Sequence, residues 1–186
     1  MTGRANVSSD LHCDREAALN IVRESVTADV VVGAGDFGIR GERSTELLDI
    51  LKDIGKPVLL VSGNHDRCCE LASYCASSKD MHLLDGSSQT VDDVLLTHTP
   101  PYGYCDLQKD GAHEGSTAIA NAIKKLSPSL CLCGHIHHSW GSIDLFGRTT
   151  VHNLGPSPVG IPCRIVDEIV HYLRSGAIAG QNHASA

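Results

Sequence analysis

Pro57-Val58-Leu59-Leu60-Val61-Ser62-Gly63-Asn64-His65-Asp66 runs a short apolar stretch straight into a turn of Gly, Asn, His and Asp. An apolar run of this length, opened by Pro, reads as a buried strand. The polar residues then stand at its C-terminal end. Val30-Val31-Val32 repeats the pattern as a β-branched strand ending at Gly35-Asp36, and Arg4 to Ser9 is a weaker strand leading to Asp10-Leu11-His12. Between them, Arg15 to Val26 spaces Ala17, Ala18, Ile21, Val22 and Val26 for one helical face. Ser44 can cap a second helix carrying Leu47, Leu48, Leu51 and Ile54, which Gly55 stops.

Downstream the pattern continues. Asp92 to Thr97 reads as a strand ending at His98, Ser116 to Leu126 as a helix, and Leu130 to Cys133 as a strand ending at Gly134-His135-Ile136-His137. Ser142 to Leu145 and Thr149 to His152 read as a hairpin around Gly147. Cys163 to Leu173 shows no clear periodicity, and the small, polar tail from Ser175 reads as frayed. Strands alternating with helices predict an α/β fold. In open α/β sheets, ligands sit outside the carboxyl ends of the strands, where loops from several strands converge. Every polar motif stands at such an end, so the motifs can meet in space.

Together these stretches supply enough oxygen and imidazole donors for two adjacent metal ions. The i, i+2 spacing in Asp10-Leu11-His12 and His135-Ile136-His137 puts both side chains on one side of an extended segment. Gly35, Gly63 and Gly134 each precede a candidate ligand and allow sharp turns and close backbone approach. Carboxylate, amide and imidazole donors suit Mn²⁺, Fe²⁺, Zn²⁺ or Ni²⁺, and the lack of thiolates argues against a structural zinc site. Two metals about 3.5–4 Å apart can neutralise phosphoryl oxygens, make a nucleophile at neutral pH and stabilise a leaving oxygen.

The ordered set, from Asp10 to His137, resembles the calcineurin-like metallophosphoesterases, whose pattern runs DxH, GD, GNH[DE], a lone His, then GHxH. The resemblance implies a four-layer α/β/β/α sandwich of two mixed β-sheets flanked by helices. It implies that Asp10, His12 and His137 hold one metal, that Asn64, His98 and His135 hold the other, and that Asp36 bridges both, with Mn²⁺ the favoured ion. It further implies a metal-bridging hydroxide as nucleophile, with His65 assisting the leaving group and Asp66 orienting or polarising His65. In the related protein phosphatases the GD motif continues with an Asp that supports this His and an Arg that binds phosphate. Here Ile39 stands in the Asp position and Arg40 in the Arg position, making Arg40 a candidate substrate contact.

Composition bounds the rest. With 186 residues, 41% hydrophobic and 20% charged, the chain can bury a full core as one domain over residues 1–186, with 175–186 as a flexible tail. A net charge of −7 excludes the basic footprint of a general nucleic-acid binder, while bound divalent cations would still attract a small phosphoester. The eight cysteines include the adjacent pair Cys68-Cys69 but no CxxC, and read mostly as small buried hydrophobes of a reducing cytosol. With no apolar signal core at the N-terminus and no run approaching ~20 apolar residues, a cytoplasmic protein without a membrane span is expected. Dimers are common in the family, so a homodimer is compatible.

After His98, the run Thr99-Pro100-Pro101-Tyr102-Gly103-Tyr104 forms a stiff aromatic rim, in which Tyr102 is a candidate substrate contact and packing is the plainer role. Arg15 and Arg67 follow two of the motifs and read chiefly as solvated charges. His138 and His152 flank the motifs, whereas His82, His171 and His183 read as solvated or structural. Three readings follow: a phosphodiesterase, favoured because nothing in the chain forms a cap over an open cleft; a phosphomonoesterase of the same family; and a non-catalytic metal-binding scaffold. A scaffold is under no demand to keep His65 and the full ligand set, and all are present here.

Overall fold

The computed structural model describes residues 3–39, 45–84 and 94–163. Its elements are β1 (Gly3–Ser8), α1 (Arg15–Glu24), β2 (Val30–Gly33), α2 (Thr45–Lys52), β3 (Val58–Leu60), α3 (Cys68–Ala76) and β4 (Met81–Leu83). There follow β5 (Val94–Leu96), α4 (Thr117–Leu126), β6 (Leu130–Cys133), β7 (Ile143–Phe146), β8 (Thr149–Asn153) and β9 (Val159–Cys163). One sheet has the order β4-β3-β2-β1-β9 and the other β5-β6-β8-β7. Each is parallel apart from one antiparallel strand, β9 in the first and β7 in the second.

The period-2 alternation of strand side chains sorts the apolar residues into layers. Val31, Val58 and Leu60 pack with Ala18 and Ile21 of α1, Leu47, Leu48 and Leu51 of α2, and Leu71 and Cys75 of α3. Their strand neighbours Val30, Val32 and Leu59 point the other way and meet Leu132 and Leu154, with Val94, Leu96 and Leu130 closing the space between the sheets. On the far side of the second sheet, Cys131, Cys133 and Val151 pack with Ile119 and Ile123 of α4. The result is two mixed sheets face to face with helices on both outsides, as expected from the resemblance. Each such aliphatic side chain, moved from water to these interiors, contributes roughly 1.5–3 kcal/mol before the ordering cost.

Local chemistry decides where the elements end. The Asp14 carboxylate accepts from the N–H groups of Glu16 and Ala17 at 2.9 and 3.1 Å and starts α1. The expected continuation to Val26 is not seen: the helix stops at Glu24, a 3₁₀ turn spans Ser25–Thr27, and Val26 is 76% exposed. Ser25 Oγ donates to the Val22 carbonyl, and the Lys56 ammonium gathers the carbonyls of Ser25, Val26 and Ala28. A cation collecting orphan carbonyls is a favourable way to end a helix, but it depends on a residue about 30 positions away.

The hairpin forms as expected, with Gly147 at φ +64°. Three elements have no counterpart in the sequence reading. In α3 the apolar residues are spread around the helix and only Leu71 and Cys75 are buried, which hides the period. The strand β4 is three residues long. The strand β9 contains Gly160 and Pro162, and Pro is tolerated because β9 is, among the described residues, an edge strand. The expected Ser44 cap, Asp92 and Asp93, the stretch beyond Cys163 and the tail lie outside the described residues. No described helix is long and apolar enough to cross a membrane.

Candidate metal centre

The parallel strands β1, β2, β3, β5 and β6 all deliver their motifs at carboxyl ends, and the loops are stitched to one another. The N–H of Asp10 donates to the Gly35 carbonyl (2.9 Å), that of His12 to the Asp36 carbonyl (3.0 Å), and that of Gly134 to the His98 carbonyl (2.8 Å). Asp10, His12, Asp36 and His135 all have positive φ, between 45° and 70°. For residues with a Cβ this backbone conformation costs on the order of 1–3 kcal/mol each and persists where the surroundings impose it. Gly63 is required by close approach: a Cβ there would run into the Asp36 carboxylate. At Gly134 it would lie 2.6 Å from Ser9 Cβ.

Two groups of side chains result. In the first, His137 Nε2 lies 3.5 Å from Asp10 Oδ1 and 3.2 Å from His12 Nε2, and His12 Nε2 lies 3.9 Å from Asp10 Oδ1. In the second, His98 Nε2 lies 3.4 Å from Asp36 Oδ2 and 3.0 Å from Asn64 Oδ1, and the ring of His135 packs edge-on against that of His98. Asp36 Oδ2 is also 3.8 Å from His12 Nε2, so this one carboxylate faces both groups. The donor atoms of Asp10, His12 and His137, and those of Asp36, His98 and His135, each lie within 4.8 Å of one another. All seven expected ligands are thus brought together.

The carboxylates and His98 are buried and His137 stands at the mouth: Asp10 and Asp36 are almost fully covered, while half of the His137 side chain is exposed. Burial pushes the Asp36 carboxyl's pKa up, but the His98 ring, the His65 backbone N–H and the charges of both histidines outweigh it, and the net shift is downward. Burial pulls His98 down, yet hydrogen bonding and charge from Asp36, the Ala34 carbonyl and the charge of Asp10 carry it above the ordinary value. His135 is lowered, first by burial and then by the charge of His98.

This donor set fits divalent cations. His98 Nδ1 sits 2.7 Å from the Ala34 carbonyl, which can only accept, so Nδ1 carries a proton, and in the neutral ring that binds a cation the Nε2 lone pair faces Asp36 Oδ2 and Asn64 Oδ1. Three lone pairs converging on one point repel each other without a cation. The second-nitrogen contact to a backbone carbonyl is how ligating imidazoles are commonly held. In the first group two imidazole Nε2 atoms and a carboxylate oxygen converge in the same way.

The Asp66 carboxylate is not where the sequence reading put it. Its Oδ1 accepts from the N–H groups of Phe37 and Gly38, both at 2.9 Å, and its Oδ2 from those of Asp36 (2.8 Å) and Gly63 (2.9 Å). It clamps the Gly35-Asp36 loop to the Gly63 turn instead of orienting the His65 ring. His65 Nδ1 is buried with no hydrogen-bond partner among the described residues, and Ile39, in the position of a supporting Asp, is exposed. The His65 backbone N–H donates to Asp36 Oδ1 (2.8 Å), and its ring stands edge-on to His12 at 5.0 Å.

Arg40 lies outside the described residues. Tyr102 is 49% exposed, with its ring 5.7 Å from that of His113, whereas Tyr104 stacks on Phe146 at 4.1 Å and is a packing residue. Arg15 and Arg67 pair with Glu46 and Glu70 on the surface. His138 is exposed and His152 is buried in β8. Cys131 and Cys133 are buried core residues as expected, but Cys68 and Cys69 are exposed.

Trp140 was not singled out by sequence and proves to touch the site twice. Its Nε1–H donates to Asp10 Oδ2 (3.3 Å), and its ring lies over that of His137 at 4.2 Å. Ser9 Oγ donates to the same carboxylate oxygen at 2.5 Å, and the His135 N–H donates to both oxygens. Their one sequence signal is adjacency to a motif.

A model of the calcineurin-like phosphoesterase superfamily domain matches residues 4–159. The chain belongs to that superfamily. Over 50 residues, 26% of its length, it is 42% identical to the UPF0046 protein T07D4.2 of Caenorhabditis elegans, and the match spans only 13% of that protein. Its fold is similar to that of TT1561 of Thermus thermophilus, with a TM-score of 0.64 and 16% identity, covering 87% of this chain and 99% of that one. It is also similar to the phosphopantetheinyl hydrolase PptH of Mycobacterium tuberculosis, with a TM-score of 0.59 and 13% identity over 83% of this chain and 90% of that one. At such identities the likeness is one of fold. The calcineurin-like phosphoesterase chain thus combines its superfamily's sandwich with candidate His/Asp metal sites.

Proposed function

We propose that this calcineurin-like phosphoesterase is a dinuclear-metal phosphodiesterase, with Mn²⁺ the favoured ion. The observation that carries the proposal is the sharing of Asp36 between the two ligand groups. Asp10, His12 and His137 would hold one cation, Asn64, His98 and His135 the other, and Asp36 both. Bound there, divalent cations supply neutralisation of the phosphoryl oxygens, a nucleophile at neutral pH and stabilisation of the leaving oxygen.

The chain's own residues supply the rest. Ala34 fixes the protonated nitrogen of His98, and Asp66 and Gly63 hold the Asp36 loop. His65 Nδ1 is buried and has no hydrogen-bond partner among the described residues, a position less costly for a lone pair than for an N–H. That favours the tautomer with the proton on Nε2, from which it can pass to the leaving oxygen. Such a donor typically contributes ~10²–10⁴-fold.

The diester preference is supported by charge. Arg15 and Arg67, which follow two of the motifs, are paired with glutamates on the surface, and Arg40 lies outside the described residues. A singly charged diester asks less compensation of such a site than a dianionic monoester. The test compares bis(p-nitrophenyl) phosphate with p-nitrophenyl phosphate, using metal-stripped protein with Mn²⁺ added back and His65→Ala and Asp36→Ala as controls. Diester turnover that needs metal and both residues is expected. Preferential turnover of the monoester, or activity surviving Asp36→Ala, refutes the reading.

A further inference from the structure

The loop between His98 and α4 holds an Asp–His pair that the metal chemistry does not use. Asp106 is completely buried, and its Oδ2 accepts from the N–H groups of Gly103 (2.9 Å) and Gly115 (2.8 Å). Its Oδ1 goes to one partner, His113 Nδ1, at 2.6 Å. A buried carboxylate that accepts the Nδ1 proton fixes both the tautomer and the orientation of the imidazole, and the His113 side chain is 37% exposed. Against its ring lies that of Tyr102, half in solvent. Of two neighbouring rings at the surface, that of His113 is therefore held by a buried charge, and the backbone of Tyr102 is anchored by a bond from its N–H to the Ser116 carbonyl (3.0 Å).

This loop is attached to the metal-ligand turn on both sides of His137. Asn153, fully buried, donates from one amide nitrogen to the carbonyls of Cys105 (2.8 Å) and Ile136 (3.2 Å). Ser139 Oγ donates to the Leu107 carbonyl (2.8 Å), and Leu107 pairs in a β-bridge with His113. Leu107 and His113 face each other across this bridge, so the His113–Tyr102 pair is carried by a loop bonded to the turn that carries His137. A phosphodiester held at the metal centre has one ester group that leaves and one that is retained, and aromatic rings on a loop tied to this turn are candidates to meet the retained one.

We propose that His113 and Tyr102 form a specificity subsite for an aromatic retained ester group, a nucleobase or aryl ring, with Asp106 as the residue that positions His113. The proposal deepens the phosphodiesterase reading and rests on it. Stacking between aromatic rings supplies the attraction, and it gains from the His113 ring being held in place, because less ordering remains to be done on binding.

The test uses two substrates with the same leaving group: bis(p-nitrophenyl) phosphate, which retains an aryl group, and methyl p-nitrophenyl phosphate, which retains a methyl. His113→Ala and Tyr102→Ala are each expected to raise KM for the aryl diester about tenfold, with kcat unchanged and the methyl diester unaffected. Asp106→Asn should do the same, and His113→Phe, which restores a ring, should recover part of the loss. Equal effects on both substrates, no effect on either, or a fall in kcat with KM kept would overturn the proposal. Calorimetric binding of diphenyl phosphate and dimethyl phosphate to the Mn²⁺-loaded protein gives a readout independent of turnover. A preference for diphenyl phosphate that His113→Ala abolishes supports the subsite even if neither diester is hydrolysed, an outcome that would sink the phosphodiesterase reading alone. Equal binding of the two by the unaltered protein removes the subsite.

Discussion

Replacing Asp66 distinguishes a clamp from a catalytic partner. Its carboxylate accepts four backbone N–H groups at 2.8–2.9 Å, two on each oxygen. Asp66→Asn replaces one oxygen with an NH₂ that faces two donors, so two charge-assisted bonds are lost. At roughly 1.5 kcal/mol apiece in this half-buried setting, the cost is about 3 kcal/mol. Asp66→Ala orphans all four N–H groups, some of which reach water, and should cost about 5 kcal/mol. Against a typical total of about 5–15 kcal/mol these are large losses. In a chain of 186 residues, about 3 kcal/mol corresponds to a Tm lowered by about 6–12 °C. The assay is urea and thermal unfolding of the metal-stripped protein, which separates the clamp from any effect of bound metal. A loss below about 1 kcal/mol in both variants, accompanied by a large fall in kcat and a changed pH profile, would refute the clamp and return Asp66 to the role of orienting His65.

Two further outcomes follow from particular contacts. Trp140→Phe keeps a ring on His137 but removes the N–H from Asp10, which retains its bonds from Ser9 and His135; Mn²⁺ affinity, measured by chelator competition, should fall about tenfold or less, and unchanged affinity would show that the indole N–H does not tune the site. Cys68 and Cys69 should react with a thiol-specific disulfide reagent at about pH 7.5 in the folded protein, whereas Cys105 should stay protected, because burial foremost, with Asp144 beside it, pushes its thiol up to about 11. A folded-state value above the ordinary thiol value near about 8.5 means the associated stability is present below that pH and is lost as pH rises through about 11. Prompt labelling of Cys105 in the native protein would contradict its burial.

The order of motifs was legible because each candidate ligand follows an apolar run short enough to read as a strand. Val30 to Val32 and Leu130 to Cys133 read directly, and the structure sets each beside a parallel neighbour. α3 was not legible, because its scattered apolar residues bury only Leu71 and Cys75. Nor was the end of α1, since the Lys56 ammonium that collects its last carbonyls lies on another segment. His65 was readable as a motif residue, but the company it keeps was not. The carboxylate next to it in sequence points to four backbone N–H groups, leaving its Nδ1 without a partner among the described residues.

By itself the sequence determined the candidate ligand types, their placement at strand ends and the α/β class, because these depend on side-chain chemistry and on a period of about two or about 3.6 residues, while the two-sheet sandwich was implied by the family resemblance. Only the tertiary structure decided which oxygen meets which nitrogen. It made Asp36 the residue facing both imidazole groups, assigned Asp66 to the backbone, brought Trp140 onto Asp10 from 130 positions away, and joined buried Asp106 to His113. Hydrogen bonds act over about 3 Å and in fixed directions. Partners at that range are set by how separate loops pack against each other, which local sequence does not encode.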